Sequence, residues 1–157
     1  MKNALIAFAA AAALLATSVA SFAETWTLGD LVIENPRARA TPPNAPVSGG
    51  YMLIRNNGAE ADRLVGGSAP FAGKVEIHEM AMDGDVMRMR ELADGLEIPA
   101  GGEVMLKPGG YHVMFMQMRE TLDPGKPRKV TLRFENAGEI EIDFEVLTPD
   151  KIQMNMN

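Results

Sequence analysis

From Glu139 to Leu147 the chain alternates without a break: Ile140, Ile142, Phe144 and Val146 are separated by Glu141, Asp143 and Glu145. A period of two puts the four apolar side chains on one face of an extended strand and the acids on the other, a pattern that a helix would scatter around its circumference. Val130, Leu132 and Phe134 do the same against Lys129, Thr131 and Arg133. Read on this basis, the sequence predicts strands at 32–34, 51–55, 63–65, 75–80, 86–92, 103–106, 111–118, 130–134 and 140–147. Turn chemistry divides them at Asn56-Asn57-Gly58, Asp83-Gly84, Pro99-Ala100-Gly101-Gly102, Pro108-Gly109-Gly110, Asp123-Pro124-Gly125 and Asn136-Ala137-Gly138. No segment has the period of an amphipathic helix. Short strands with such frequent turns predict an all-β fold, a Greek-key β-sandwich or barrel.

The first 23 residues read differently. Lys2 precedes an Ala-rich apolar stretch, Ala4 to Val19, and Ser21-Phe22-Ala23 has the small residues of a cleavage site. Residues 1–23 are therefore expected to be a secretory signal peptide, cleaved after Ala23. One domain is expected over 24–150, with a flexible, Met-containing tail at 151–157. No later segment is long and apolar enough to cross a bilayer. The formal charge of the whole chain is −6, and loss of Lys2 makes it one unit more negative. Such a surface repels nucleic acid and favours solubility. A monomer is expected.

The sequence contains no cysteine. That removes thiolate nucleophiles, iron–sulfur clusters, Cys-based zinc sites and a cysteine-linked lipid anchor. It also removes the thiolate on which a blue-copper electron-transfer site depends. What the chain has instead is methionine: 12 in all, eight of them (Met80, Met82, Met87, Met89, Met105, Met114, Met116 and Met118) concentrated around its two histidines, His78 and His112. A methionine in a β-core is usually packing, and a lone strand histidine is usually a hydrogen-bonded structural group. Both histidines at strand positions among methionines is a different matter. Imidazole and neutral thioether together favour Cu(I) over zinc, iron or magnesium.

Asp-Gly favours a two-residue hairpin loop. A loop at Asp83-Gly84 would set His78 across from Met89 and Met80 across from Met87, with Glu79 facing Arg88 on the other side. His112 and Met114 are two apart on a strand and share a face. Two ligands from the hairpin and two from a neighbouring strand would close a four-coordinate site. Glu76 and Glu79 read as solvated strand surface, Arg37 and Arg39 as exposed positions, and Trp26 as an anchor for the first strand. Met80 and Met87 could stand in for a ligand that is lost, whereas Met116 and Met118 read as packing.

The ten-residue gap between His78 and Met89, followed by His112-Val113-Met114, resembles the motif of the periplasmic copper chaperones called PCu(A)C. The gap from Met89 to His112 is one residue longer than the family pattern. Similar segments are Ala38-Arg39-Ala40-Thr41-Pro42-Pro43, Gly50-Tyr51-Met52, His78-Glu79-Met80, Ile98-Pro99-Ala100-Gly101-Gly102 and the run from Leu106 to His112. The resemblance implies a cupredoxin-like β-fold and a periplasmic protein. It implies Cu(I) bound by His78, Met89, His112 and Met114, and delivery to the CuA-domain subunit of cytochrome c oxidase. A copper store without a dedicated acceptor is the alternative. An enzyme is not expected, since no G-x-S-x-G elbow accompanies either histidine.

Overall fold

The computed structural model describes residues 24–156, so the expected signal peptide lies outside the described residues. Eleven strands and one helix follow in order. They are β1 (Thr25–Leu28), β2 (Leu31–Arg39), β3 (Val47–Asn56), β4 (Asp62–Ser68), β5 (Ala72–Asp83), β6 (Val86–Glu91), β7 (Leu96–Ile98), β8 (Glu103–Leu106), β9 (Tyr111–Met118), β10 (Arg128–Phe134), β11 (Gly138–Leu147) and α1 (Pro149–Asn155). Hydrogen bonding runs β6-β5-β9-β3-β2-β11-β10-β4-β7, with β1 added to β2 and β8 to β3. All pairs are antiparallel except β2 with β11. The sheet curls over its core: a Cβ on Gly66 in β4 would lie 3.7 Å from the carbonyl of Val75 in β5, although five strands separate β4 from β5 in that order. This is the all-β sandwich that the alternation predicts.

The two long alternating runs pair as β10 and β11, with Val130 opposite Ile142 and Leu132 opposite Ile140. Their inward residues join Ile33, Met52, Ile54, Ile77, Val113 and the buried rings of Phe71, Phe115, Phe134 and Phe144 in one core. Trp26 packs at its edge, so the first strand is anchored as expected. Gly50 has a steric reason: a Cβ there would sit 3.0 Å from the rings of both Phe115 and Phe144. Those rings close over the middle of β3.

Several local features depart from the sequence reading. β2 continues through Pro36, beyond the strand expected at 32–34, because a bulge between Glu34 and Arg37 accommodates the residue that has no N–H. Asn35 takes a positive φ of 51° there. Arg37 is not exposed: its side chain is 15% accessible and is paired with Glu145. The hairpin between β5 and β6 turns at Gly84-Asp85, not at Asp83-Gly84, because Asp83 pairs with Val86. Gly84 has a φ of 64° and Asp85 has no positive φ. That matches a turn needing glycine at its first loop position, whereas the Asp83-Gly84 alternative needs positive φ at both.

The tail differs too. In place of the loose segment expected at 151–157, Pro149–Asn155 form α1, with Thr148 at the N-cap position and Pro149 in the first turn. Ile152 is buried against Tyr51 and Leu147. One buried side chain, with Met156 packed beside it, was too weak a signal to read as a docked helix.

Candidate metal centre

β5 and β9 pair so that His78 lies directly opposite His112 and Glu76 opposite Met114. Their alternate residues, Ile77, Val113 and Phe115, are buried in the core. The histidines therefore occupy the other face of the same two strands, fixed there by the burial of their neighbours. β6 adds to the far edge of β5. Met89 stands opposite Met80, and His78 opposite Glu91, a slide of two residues from the pairing expected of an Asp83-Gly84 loop. A slide of two keeps every side chain on its face. Met89 thus remains beside the histidines, but its cross-strand partner is Met80. Glu79 likewise meets Arg90, at 2.6 Å, and Arg88 pairs with Asp83.

A cleft of about 360 Å³ opens on this face, lined by Met80, Met89, His112 and Met114, with Arg39, Ser48, Gly49, Tyr51 and Pro108 around them. Three of the four predicted ligands thus line one cavity. His78 is not among its lining residues; its ring lies 5.8 Å from that of His112, centre to centre. Met89 is 47% exposed, whereas the histidines are buried. The soft ligands are open to solvent on one side and the imidazoles are sheltered on the other.

Each imidazole has one nitrogen engaged and one left over. His112 Nδ1 lies 3.1 Å from the carbonyl of Gly110, which only accepts, so Nδ1 carries the proton and Nε2 the lone pair. His78 Nε2 lies 2.6 Å from a carboxylate oxygen of Glu76, which fixes the opposite arrangement: the proton on Nε2 and the lone pair on Nδ1. His112 Nε2 and His78 Nδ1 are both buried and have no hydrogen-bond partner. Buried polar atoms are rarely left without a partner, and two on adjacent rings, beside thioethers, are donors of the kind that a soft metal ion accepts.

Glu76 is the residue that sequence reasoning misjudged. It is only 8% exposed, not solvated surface, and it bridges Lys74 and His78. Hydrogen bonds from Lys74 and then from His78 hold its carboxyl below the ordinary glutamate range, against the cost of burial. A carboxylate that orients a ligating histidine is a recurrent device of metal sites. Its position two residues before His78, on the same face, was the available signal. Burial pushes the His112 imidazole below its ordinary value, the bond to Gly110 opposing and the nearness of His78 reinforcing the shift. His112 therefore stays neutral, as a ligand must.

Tyr51 forms another wall. A Cβ on Gly49 would come within 2.7 Å of its phenol oxygen, so glycine at 49 is what lets the ring lie in the cleft. Burial raises the Tyr51 pKa, keeping the phenol protonated, with Arg39 opposing.

Comparison with known proteins bears on the family and the fold. A family model described as "Putative lipoprotein LpqE-like" matches residues 31–146, from the start of β2 almost to the end of β11. The chain belongs to that family. Among solved structures, this LpqE-like chain is similar to the copper-bound PCuAC domain from PmoF2, with 28% identity and a TM-score of 0.69 over 80% of this chain and 99% of that one. The apo PCuAC domain from PmoF1 gives 28% and 0.68 over 80% and 100%. The Cu(I) form of DR1885 from Deinococcus radiodurans shares the fold at 23% identity and a TM-score of 0.62, over 82% of this chain and 84% of that one. The LpqE-like chain is thus a PCu(A)C-type domain with the cupredoxin-like β-sandwich that the resemblance implied. A curated relative, "Putative lipoprotein Lxx21020" of Leifsonia xyli subsp. xyli, is 34% identical over 84 residues, covering 54% of this chain and 51% of the relative. The chain spans about half the length of that relative.

Proposed function

We propose that this protein is a Cu(I) carrier, holding the ion between His78, Met89, His112 and Met114 and passing it to an acceptor. The observation that carries this reading is the pair of buried, partnerless nitrogens, His78 Nδ1 and His112 Nε2, beside the thioethers of one open cleft. The copper bound by the PmoF2 and DR1885 proteins supports the same metal here. Thioether sulfur suits this work in an oxidising compartment. It binds Cu(I) without the charge of a thiolate and cannot be lost to a disulfide. The exposed side of the cleft, at Met89, is where an acceptor's ligand can enter as one of the carrier's own leaves. No electron or proton need move in such an exchange.

The cargo and cleft favour a carrier over an enzyme, and the lipoprotein-like relatives favour an exported protein, which we assign to the periplasm. The CuA-domain subunit of cytochrome c oxidase is the acceptor suggested by the family resemblance. A copper store would have the same ligands but would keep its metal. Reduced, copper-loaded protein should show two nitrogen and two sulfur neighbours by X-ray absorption, and should lose copper to an apo CuA domain on mixing. Met89→Leu with Met114→Leu should weaken Cu(I) binding by more than about 100-fold, beyond what loss of an outer-shell partner causes. Unchanged affinity in that double variant would refute the ligand assignment. Retention of copper against the CuA domain would instead favour a store.

A further inference from the structure

The methionines do not stop at the cleft. Beyond the rung formed by Met80 and Met89, the hairpin carries one more: Met82 directly opposite Met87, next to the Gly84-Asp85 turn. Both are exposed, at 61% and 51%. Along β5 the same face reads Glu76, His78, Met80, Met82, so the outer rung continues the line of the buried imidazoles towards solvent. Charge is kept off this part of the face. Asp83 and Arg88 pair with one another on the opposite side, as do Glu79 and Arg90.

We propose that Met82 and Met87 form a second, weaker Cu(I) site, an outer station from which copper enters or leaves the His78/His112 centre. This rests on the reading of Cu(I) as cargo. Directly opposed strand residues have Cβ atoms about 4.5–5.5 Å apart, and a methionine side chain adds three rotatable bonds with which two sulfurs can converge. Two neutral thioethers with no imidazole hold the ion more loosely than the inner set, which is the gradient a transfer route needs. Residues i and i+2 on a strand lie about 7 Å apart, so the Met80/Met89 rung is within reach of both stations. Movement inward is ligand exchange: a sulfur of the inner rung bonds to copper as one of the outer rung departs, and the ion remains Cu(I) throughout.

Anaerobic titration with Cu(I) against a competing chelator tests this in the full exported chain. The wild-type protein should bind one tight equivalent and one weaker equivalent. Met82→Leu with Met87→Leu, which keeps two exposed apolar side chains of similar size, should abolish the weaker equivalent and leave the tight one at unchanged affinity. X-ray absorption of wild-type protein carrying two equivalents should show a higher sulfur-to-nitrogen ratio than at one. A wild-type protein that takes up only the tight equivalent, or a weak equivalent that survives in the double variant, overturns the outer station. Absence of the tight equivalent would overturn the carrier reading itself, so the two failures are distinct.

Discussion

Two of the clefts among the described residues are of similar size, and they are built on opposite principles. The larger, about 430 Å³, lies among Asp30, Asn56, Glu60, Asp62 and Asn136. Its buried polar side chains, Asn56 and Asp62, are spoken for. Asp62 accepts hydrogen bonds from the backbone N–H groups of Arg63, Asn136 and Ala137, and Asn56 donates to the carbonyls of Glu60 and Ile98. In the smaller cleft His112 Nε2 is left with no partner, as is Nδ1 of His78 directly across the strand pair. The first is a joint between loops; the second is a site. Size did not distinguish them, whereas the accounting of donors and acceptors did, because a buried lone pair without a partner costs free energy that a fold retains only for a use.

Three perturbations test that contrast. The largest effect expected is on the joint. Asp62→Ala strands three backbone donors and should lower the unfolding free energy by about 2–4 kcal/mol in a denaturant titration. Its Cu(I) affinity should stay within about twofold of wild type, since the two clefts share no lining residue and sites without shared partners behave independently. A parallel loss of copper affinity would mean that the two clefts are coupled. Next comes Glu76→Gln, which keeps the shape but removes the charge that fixes the His78 tautomer. It should weaken Cu(I) binding by about 10- to 100-fold in a chelator competition, with smaller change in unfolding than Asp62→Ala. No change in affinity would show that His78 needs no orienting partner.

The smallest effect is on the stability of the metal-free protein as pH falls. Burial depresses His112, so the unfolded chain binds a proton first as the solution is acidified. The corresponding stability is complete above the unfolded histidine value of about 6.5 and declines as pH drops below it. Glu76 behaves separately: its depressed carboxyl contributes stability that is lost only as pH falls through its own folded value, below the ordinary glutamate range. Chemical unfolding at pH 7.5 and at pH 5.5 should therefore show a decline that His112→Gln reduces. An equal decline in that variant would remove His112 as its source.

How much of this is legible in the sequence depends on the kind of signal. The β10 and β11 pair could be read directly, because unbroken alternation leaves one choice of face. His112 and Met114 shared a face for the same reason. The hairpin was half legible. The faces of His78, Met80, Met87 and Met89 followed from their positions in the alternation, but the partner of each depended on whether Gly84 came first or second in its loop. Sequence composition is nearly silent on that choice. Glu76 was misread because an acid in a strand is usually solvated, and only the packing of β9 against β5 shows that it is covered. β1 and β7 are too short, at four and three residues, for periodicity to register.

Tyr51 touches both the cleft and the end of the chain. One part of its ring closes over Gly49 beside Met114, and Ile152 of α1 rests against it. Helix α1 thus acts as a buttress behind one wall of the proposed copper pocket. Trimming the chain before Thr148 would disturb that wall from outside without altering any of the four proposed ligands.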